Sequence, residues 1–130
     1  MAERGRFGWP DFRQAHLQES FALCSITASE LLHGWERAKD SKIKAKRGAF
    51  VEGLLSKLAI VPFGLEEARR HARLWAGLEA QGQVIGSHDL MIAATAVSLN
   101  FSLATLNRKE FKRVPGLSLI KVDSFLIQAK

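Results

Sequence analysis

The chain has 130 residues, of which 47% are hydrophobic and 25% are charged, and its formal net charge is +6. This length and composition are typical of one globular domain, and the positive charge favours an anionic partner such as nucleic acid. No apolar run reaches the ~18–20 residues of a membrane span, and the first residues lack an apolar signal segment. The single Cys24 excludes an intrachain disulfide and a cysteine-based zinc site. We therefore predict a single cytoplasmic domain over residues 1–130 without membrane contact.

Predicted helices and strands alternate along the chain. A helix over residues 10–19 comes first, strands follow at 21–27, 58–63, 102–106 and 117–122, and helices follow at 29–40, roughly 43–56, 65–82 and 88–100. This alternation predicts an α/β layer fold with a mostly parallel sheet whose strands are buried on both faces. Such a sheet usually begins with a strand, whereas this chain opens on the polar segment MAERGRF. Either the sheet is small or a leading strand has been lost.

The helix predicted over residues 88–100 is unusual because nearly every residue after Asp89 is apolar or small, which indicates a helix buried all round. An unpaired carboxylate beside a core costs free energy, so Asp89 needs an explanation. One explanation is local: Ser87 caps the helix and Asp89 complements the helix dipole. The other is functional and depends on the polar residues elsewhere in the chain.

Oxygen donors collect where the predicted strands end and the next helices begin. Glu30 follows the strand over 21–27, Asp89 begins the buried helix, and Asn107 and Glu110 follow the strand over 102–106. In parallel α/β sheets these positions meet at one edge, where functional groups gather. Carboxylates with water and substrate phosphate are the ligands that Mg²⁺ and Mn²⁺ prefer, and such a site can polarise a phosphodiester and activate water.

Each of these residues also has a structural alternative. Thr27 and Glu30 have the spacing of a capping box. Asn107 suits a turn in the left-handed conformation, and Glu110 lies between two lysines as an ordinary surface acid does. His88 fits either a substrate contact or a helix start. Spacing alone therefore leaves a metal site open beside these alternatives.

The basic residues form three clusters. Two of them are predicted to be solvated helix faces, and the third, which neighbours Asn107 and Glu110, is predicted to contact phosphate. In chain order the clusters contain Lys39, Lys42, Lys44, Lys46 and Arg47; then Arg69, Arg70 and Arg73; then Arg108, Lys109, Lys112 and Arg113.

The segments ITASELLHGWERA and IGSHDLMIAATAVSLNFSLATLNRKEFKRVPGL carry a family likeness. From about residue 2 to 122 the chain resembles PIN-domain proteins, specifically VapC-type toxins of bacterial toxin–antitoxin systems. The resemblance implies a three-layer α/β/α sandwich with a mostly parallel sheet and a Mg²⁺- or Mn²⁺-dependent endoribonuclease activity. It also implies a tRNA or rRNA substrate, a homodimer, and neutralisation by a cognate antitoxin protein.

The resemblance assigns roles to four residues. Glu30 matches the acid of the family's ELLHG helix and Asp89 the acid of its HDLxIAA helix, and both are expected to be metal ligands. Asn107 stands where many relatives have a further Asp, and Glu110 is the acid that precedes a Phe. All four are therefore candidate catalytic residues.

The chain departs from the family at its beginning. The family starts with a strand that ends in a metal-binding Asp, whereas this chain starts at MAERGRF. We therefore expect the first strand to be absent, through a misassigned start codon or a truncated gene, and the activity to be impaired. The alternative function is that of a catalytically inactive PIN-fold protein that binds antitoxin or RNA without cleaving it.

Overall fold

The computed structural model describes residues 21–120, in which short strands alternate with helices. In chain order these are β1 (Ala22–Cys24), α1 (Ser25–Arg37), α2 (Ser41–Lys57), β2 (Ala59–Val61), α3 (Leu65–Ala80), α4 (Ser87–Leu99), β3 (Leu103–Ala104), α5 (Arg108–Phe111) and β4 (Leu119–Ile120). The predicted helix over 10–19, the end of the last predicted strand at 121–122 and the question of a leading strand lie outside these residues. No helix within residues 21–120 has the length and apolar character needed to cross a bilayer.

The structure corrects one predicted element and adds one helix. The strand predicted over 21–27 is shorter, because α1 begins at Ser25 and Thr27 lies inside this helix, where it is only 4% exposed. The β-branched residues Ile26 and Thr27 favour a strand, and their burial against the core overrides that preference. The short helix α5 was not predicted, because four residues are too few for a helical pattern to show.

The strands pair in parallel, as predicted. β1 pairs with β2, with Ala22 opposite Ala59, and β3 pairs with β4, with Leu103 opposite Leu119. Burial on both faces is confirmed for β1 and β3 but is wrong for β2, where Ile60 is 41% exposed. Among the described residues β1 and β2 pair only with each other, so the difference in their exposure comes from the helices that pack on them and not from the number of strand partners.

The core forms around α4, which is buried as its sequence predicts. Alanines at 93, 94 and 96 let neighbouring elements approach its axis closely. The largest contact is with α3, which contributes Leu74 and Leu78. β1, β3 and α5 contribute Cys24, Leu103 and Phe111. α4 thus provides a rigid element, and its first turn carries Asp89.

Helices α1 and α2 form a hairpin at one side of this core. The side chain of Asp40 caps α2 by accepting hydrogen bonds from the backbone N–H groups of Lys42 and Ile43, at 2.9 and 3.0 Å. Gly48 faces the ring of Trp35, and the guanidinium of Arg47 donates to the carbonyl of Gly34 at 3.1 Å. The contacts of Gly48 and Arg47 thus join α2 to α1.

Candidate active site

Asp89 lies in the first turn of α4 and is partly buried. The helix begins after Gly86, which is the N-cap, so the predicted cap at Ser87 is wrong by one residue. No side chain caps this helix, and the backbone N–H of Leu90 donates to the carbonyl of Gly86 at 2.9 Å. The loop before it is held by Ile85, which enters the core, and by Arg113, which donates to the carbonyl of Val84.

Asn107 connects Asp89 with Glu110. Its side-chain amide nitrogen donates to Oδ2 of Asp89 at 3.2 Å and to Oε2 of Glu110 at 3.3 Å. The backbone N–H of Asn107 donates to Oγ1 of Thr105 at 3.0 Å, and this hydrogen bond stabilises the turn that follows β3. The φ angle of Asn107 is −94°, so the interpretation as a left-handed turn residue is wrong.

Glu110 faces this site because the next residue anchors α5. Phe111 is fully buried in the core, whereas Glu110 is only partly buried and contacts Asn107. The interpretation of Glu110 as an ordinary surface acid is therefore wrong. A helix of four residues suffices because one large apolar side chain holds it in place.

Glu30 reaches the site from α1. Its Oε2 lies 3.5 Å from Nδ1 of His88, and the side chains of His88 and Glu30 are 60% and 17% exposed. The capping-box interpretation is wrong, because the N-cap of α1 is Cys24 and Thr27 is an interior residue of the helix. The exposed side chain of His88, in the first turn of α4, thus links this helix to α1 through Glu30.

The electrostatics of the site are repulsive. Partial burial raises the pKa of the Asp89 carboxyl, and the negative charges of Glu110 and then Glu30 raise it further. The hydrogen bond from Asn107 acts in the opposite direction and lowers it. Four residues predicted from the sequence therefore lie together, with Asp89, Asn107 and Glu110 in direct contact and Glu30 close enough to affect Asp89 by charge.

The donor set is suited to a hard divalent cation. Glu30, Asp89 and Glu110 supply carboxylate oxygens, and the amide of Asn107 supplies one more oxygen. Among residues 21–120 no three side chains of His, Cys, Asp or Glu are already grouped as a closed metal site. The amide nitrogen of Asn107 instead lies between two of the carboxylates, and its donated hydrogen bonds partly offset the negative charge that a cation would neutralise.

Sequence reasoning missed two features of this site. The link from Arg113 to Val84 spans 29 residues, and no sequence pattern indicates it. The contact between His88 and Glu30 was also not predicted, although the position of His88 beside Asp89 marked it as a candidate.

Parallel strands flanked by helices, with Glu30, Asp89 and Glu110 gathered near strand ends, define an α/β domain with an acidic cluster at one edge. The PIN domain family model matches residues 7–117. Ribonuclease VapC1 of Rickettsia felis is 39% identical over 125 residues, covering 94% of this chain and 89% of the relative. The tRNA(fMet)-specific endonuclease VapC of Salmonella typhimurium is 32% identical over 111 residues, covering 80% and 82%.

A solved structure of a similar protein has the same fold. The crystal structure of VapBC2 from Rickettsia felis, bound to a DNA fragment from its promoter, superposes with a TM-score of 0.76 at 32% identity and covers 86% of this chain and 82% of that one. This likeness confirms the predicted α/β sandwich. The chain belongs to the PIN domain family and, within it, to the VapC ribonucleases.

Proposed function

We propose that this protein is an endoribonuclease that hydrolyses RNA phosphodiester bonds with the help of Mg²⁺ or Mn²⁺. The observation that carries the proposal is the contact of Asp89, Asn107 and Glu110, with Glu30 nearby, at the end of a buried helix. Carboxylates that repel one another, in a site whose potential ligand atoms are all oxygens, favour the binding of a hard cation. The ribonuclease names of the similar proteins support the same activity.

In this proposal Glu30 and Asp89 hold the cation, and Asn107 and Glu110 lie at the rim of the site. The cation would neutralise charge on the phosphodiester and lower the pKa of an attacking water. Asn107 orients the carboxylates of Asp89 and Glu110 through the two hydrogen bonds of its amide. Glu110, held near Asp89 by the amide of Asn107, would accept a proton from a water molecule in the site.

The third basic cluster, on and after α5, supports a polyanionic substrate. Arg108 directly follows Asn107, and its Nη1 is buried without a hydrogen-bond partner in the part of the chain that the structure describes. Since this nitrogen is buried, only the other donors of the partly buried Arg108 guanidinium would be available to a phosphate oxygen. Lys109 and Lys112 are exposed on the same short segment, and their charge would attract RNA towards the acids.

We further propose the substrate class and the protein partners. The similarity to a tRNA(fMet)-specific endonuclease supports a structured RNA, tRNA or rRNA, as substrate. The likeness to the toxin chain of a VapBC complex supports a cognate antitoxin. A homodimer, a cytoplasmic location and a single domain over residues 1–130 remain predictions.

Cleavage of purified tRNA and rRNA tests the activity. The wild-type protein should cut RNA with Mg²⁺ or Mn²⁺ and lose this activity in EDTA. Asp89→Asn should abolish cleavage, whereas Glu79→Gln, which removes one carboxylate from an exposed position of α3, should leave it unchanged. A folded wild-type protein that cuts neither RNA with either metal contradicts the proposal.

One observation favours a second function, that of a PIN-fold protein which binds antitoxin or RNA without cleaving it. The amide of Asn107 already holds two carboxylates together, and a closed group of three metal ligands is not present among residues 21–120. This function predicts that antitoxin or RNA binds with equal affinity to the wild-type protein and to Asp89→Asn. It also predicts no metal-dependent cleavage by either protein.

A further inference from the structure

A cleft with a volume of about 520 Å³ opens beside the acids, along α1. Its lining is formed by Ser29, Glu30, His33, Gly34, Arg37 and His88. A space of this size is sufficient for a nucleotide, because small-molecule sites span ~300–1,000 Å³. Among these residues only Glu30 also belongs to the acid cluster of Glu30, Asp89 and Glu110. The cleft therefore begins at this cluster and continues along α1.

The charge of the cleft changes along α1. Glu30, His33, Gly34 and Arg37 have the spacing i, i+3, i+4 and i+7, which places them on one face of the helix. The end near Asp89 is acidic, and the far end carries Arg37, whose side chain is exposed. From Glu30 to Arg37 the helix rises by about 10 Å, so an anion can bind at Arg37 without approaching the carboxylates closely.

A second cation lies at the same end. Arg47 of α2 donates from Nη1 to the carbonyl of Gly34 at 3.1 Å, which brings its guanidinium to the edge of the cleft. Gly34 is in the last turn of α1, where carbonyl groups lack helical partners, so this contact also caps the helix. Arg47 is an exposed residue. His33 and His88 add ring nitrogens along the walls.

We infer that this cleft binds a backbone phosphate of the RNA next to the bond that is cut, with Arg37 as its main contact and Arg47 and His33 beside it. The inference rests on the proposed ribonuclease function for the identity of the ligand. With a rise of ~3.4 Å per stacked nucleotide, the phosphate belongs to a nucleotide roughly one to three positions from the cleaved bond. The third basic cluster, on and after α5, would hold the strand on the opposite side of the acids.

Binding of a fluorescein-labelled single-stranded oligouridylate, measured by anisotropy in EDTA, tests the cleft separately from cleavage. Arg37→Ala should weaken binding at least about threefold in ~50 mM KCl. For Arg37→Ala, the slope of log affinity against log salt concentration should be shallower by about 0.7, which is the contribution of one phosphate contact on a single strand. Arg37→Lys should restore most of the slope. Arg69→Ala, which removes the same charge from an exposed position on α3, should match the wild type.

Circular dichroism verifies that each variant is folded, and Arg37→Gln replaces Arg37→Ala if the latter does not fold. A cleavage assay with tRNA and Mg²⁺ then separates the two proposals, because Arg37→Ala should raise KM and leave kcat unchanged. If the wild type binds RNA with an Arg37-dependent slope but cuts nothing, the cleft assignment stands and the proposed cleavage is wrong. If the wild type cuts RNA and Arg37→Ala equals Arg69→Ala in affinity, slope and KM, the cleft assignment is wrong.

Two further results would overturn the inference. One is an absence of measurable oligouridylate binding by the wild-type protein. The other is tighter, equally Arg37-dependent binding of a labelled oligoaspartate peptide, which would assign the cleft to an acidic protein segment.

Discussion

Asp89 is a carboxylate at the edge of an apolar core with two other acids close by. Burial raises its pKa first, and the charges of Glu110 and Glu30 add to this effect. A group whose pKa is higher in the folded protein than in the unfolded chain disfavours folding when it is ionised. The metal-free protein is therefore destabilised by the same carboxylate that the proposed function requires.

Asp89→Asn should stabilise the metal-free protein at neutral pH, because it removes this charge and keeps an oxygen that can accept from Asn107. We expect the melting temperature in EDTA to rise by roughly 2–4 °C. The gain should shrink as the pH falls through the raised pKa of Asp89, where the wild-type carboxyl becomes protonated. Thermal melts across this pH range measure the effect. Glu79→Gln should show no such change, and a lower melting temperature of Asp89→Asn at neutral pH would contradict the prediction.

Asn107→Asp should lower the stability of the metal-free protein and raise its affinity for metal. The change removes the amide that donates to Asp89 and Glu110 and adds a fourth negative charge to the site. In EDTA the free energy of unfolding should fall by about 1–3 kcal/mol, and the melting temperature should fall with it, because like charges replace two hydrogen bonds. Mn²⁺ should bind more tightly, which isothermal titration calorimetry measures. Asn100→Asp, at the exposed left-handed C-cap of α4, provides the control for Mn²⁺ affinity only, because a carboxylate at the C-terminus of a helix has an effect on stability of its own. Weaker Mn²⁺ binding by Asn107→Asp would contradict the prediction.

The hairpin of α1 and α2 determines where Glu30 and Arg37 lie, and one close contact holds it together. A Cβ atom placed on Gly48 would lie 2.8 Å from the Trp35 ring, whereas one on Gly53 in the same helix would meet nothing within 4 Å. The two glycines therefore form a matched pair, with equal helix propensity and different surroundings.

Gly48→Ala should lower the free energy of unfolding by about 1–3 kcal/mol, because the Trp35 ring must move out of a packed position. Gly53→Ala should raise it by ~0.5–1 kcal/mol through helix propensity alone. Urea denaturation of both variants measures the difference. If both alanines stabilise the protein equally, the two helices do not pack as described.

Metal binding should connect the acids from α1, α4 and α5 with the stability of the entire domain. A cation that binds only the folded protein stabilises it by about 1.4 kcal/mol at ten times its Kd. Mg²⁺ or Mn²⁺ should therefore raise the melting temperature of the wild type at neutral pH and leave that of Asp89→Asn nearly unchanged. Because protons compete with the metal for Asp89, whose pKa is raised, the shift should diminish on acidification. Equal shifts for wild type and variant would place the bound cation elsewhere.

Sequence patterns sufficed for the main elements and for the fold class, whereas the roles of the site residues stay predictions. The apolar helix from Ser87 to Leu99 was predicted because its composition has no polar face, and its burial follows from that composition. The parallel strands were predicted from the alternation of short apolar runs with helices. Strand-end positions and the PIN-domain resemblance predict Glu30, Asp89, Asn107 and Glu110 as site residues, and the structure brings these four side chains near one another.

Contacts between distant segments were beyond the reach of local patterns. The start of α1 at Ser25 depends on Thr27 entering the core, and the four-residue helix α5 exists because Phe111 is buried there. The amide of Asn107 meets Asp89 across 18 residues, and Arg47 meets the carbonyl of Gly34 across 13. Hydrophobic periodicity records which side of an element faces the core, but it contains no information on which polar groups then face one another. Packing of the elements against α4 determines those contacts, and with them the charge of the site and of the adjoining cleft.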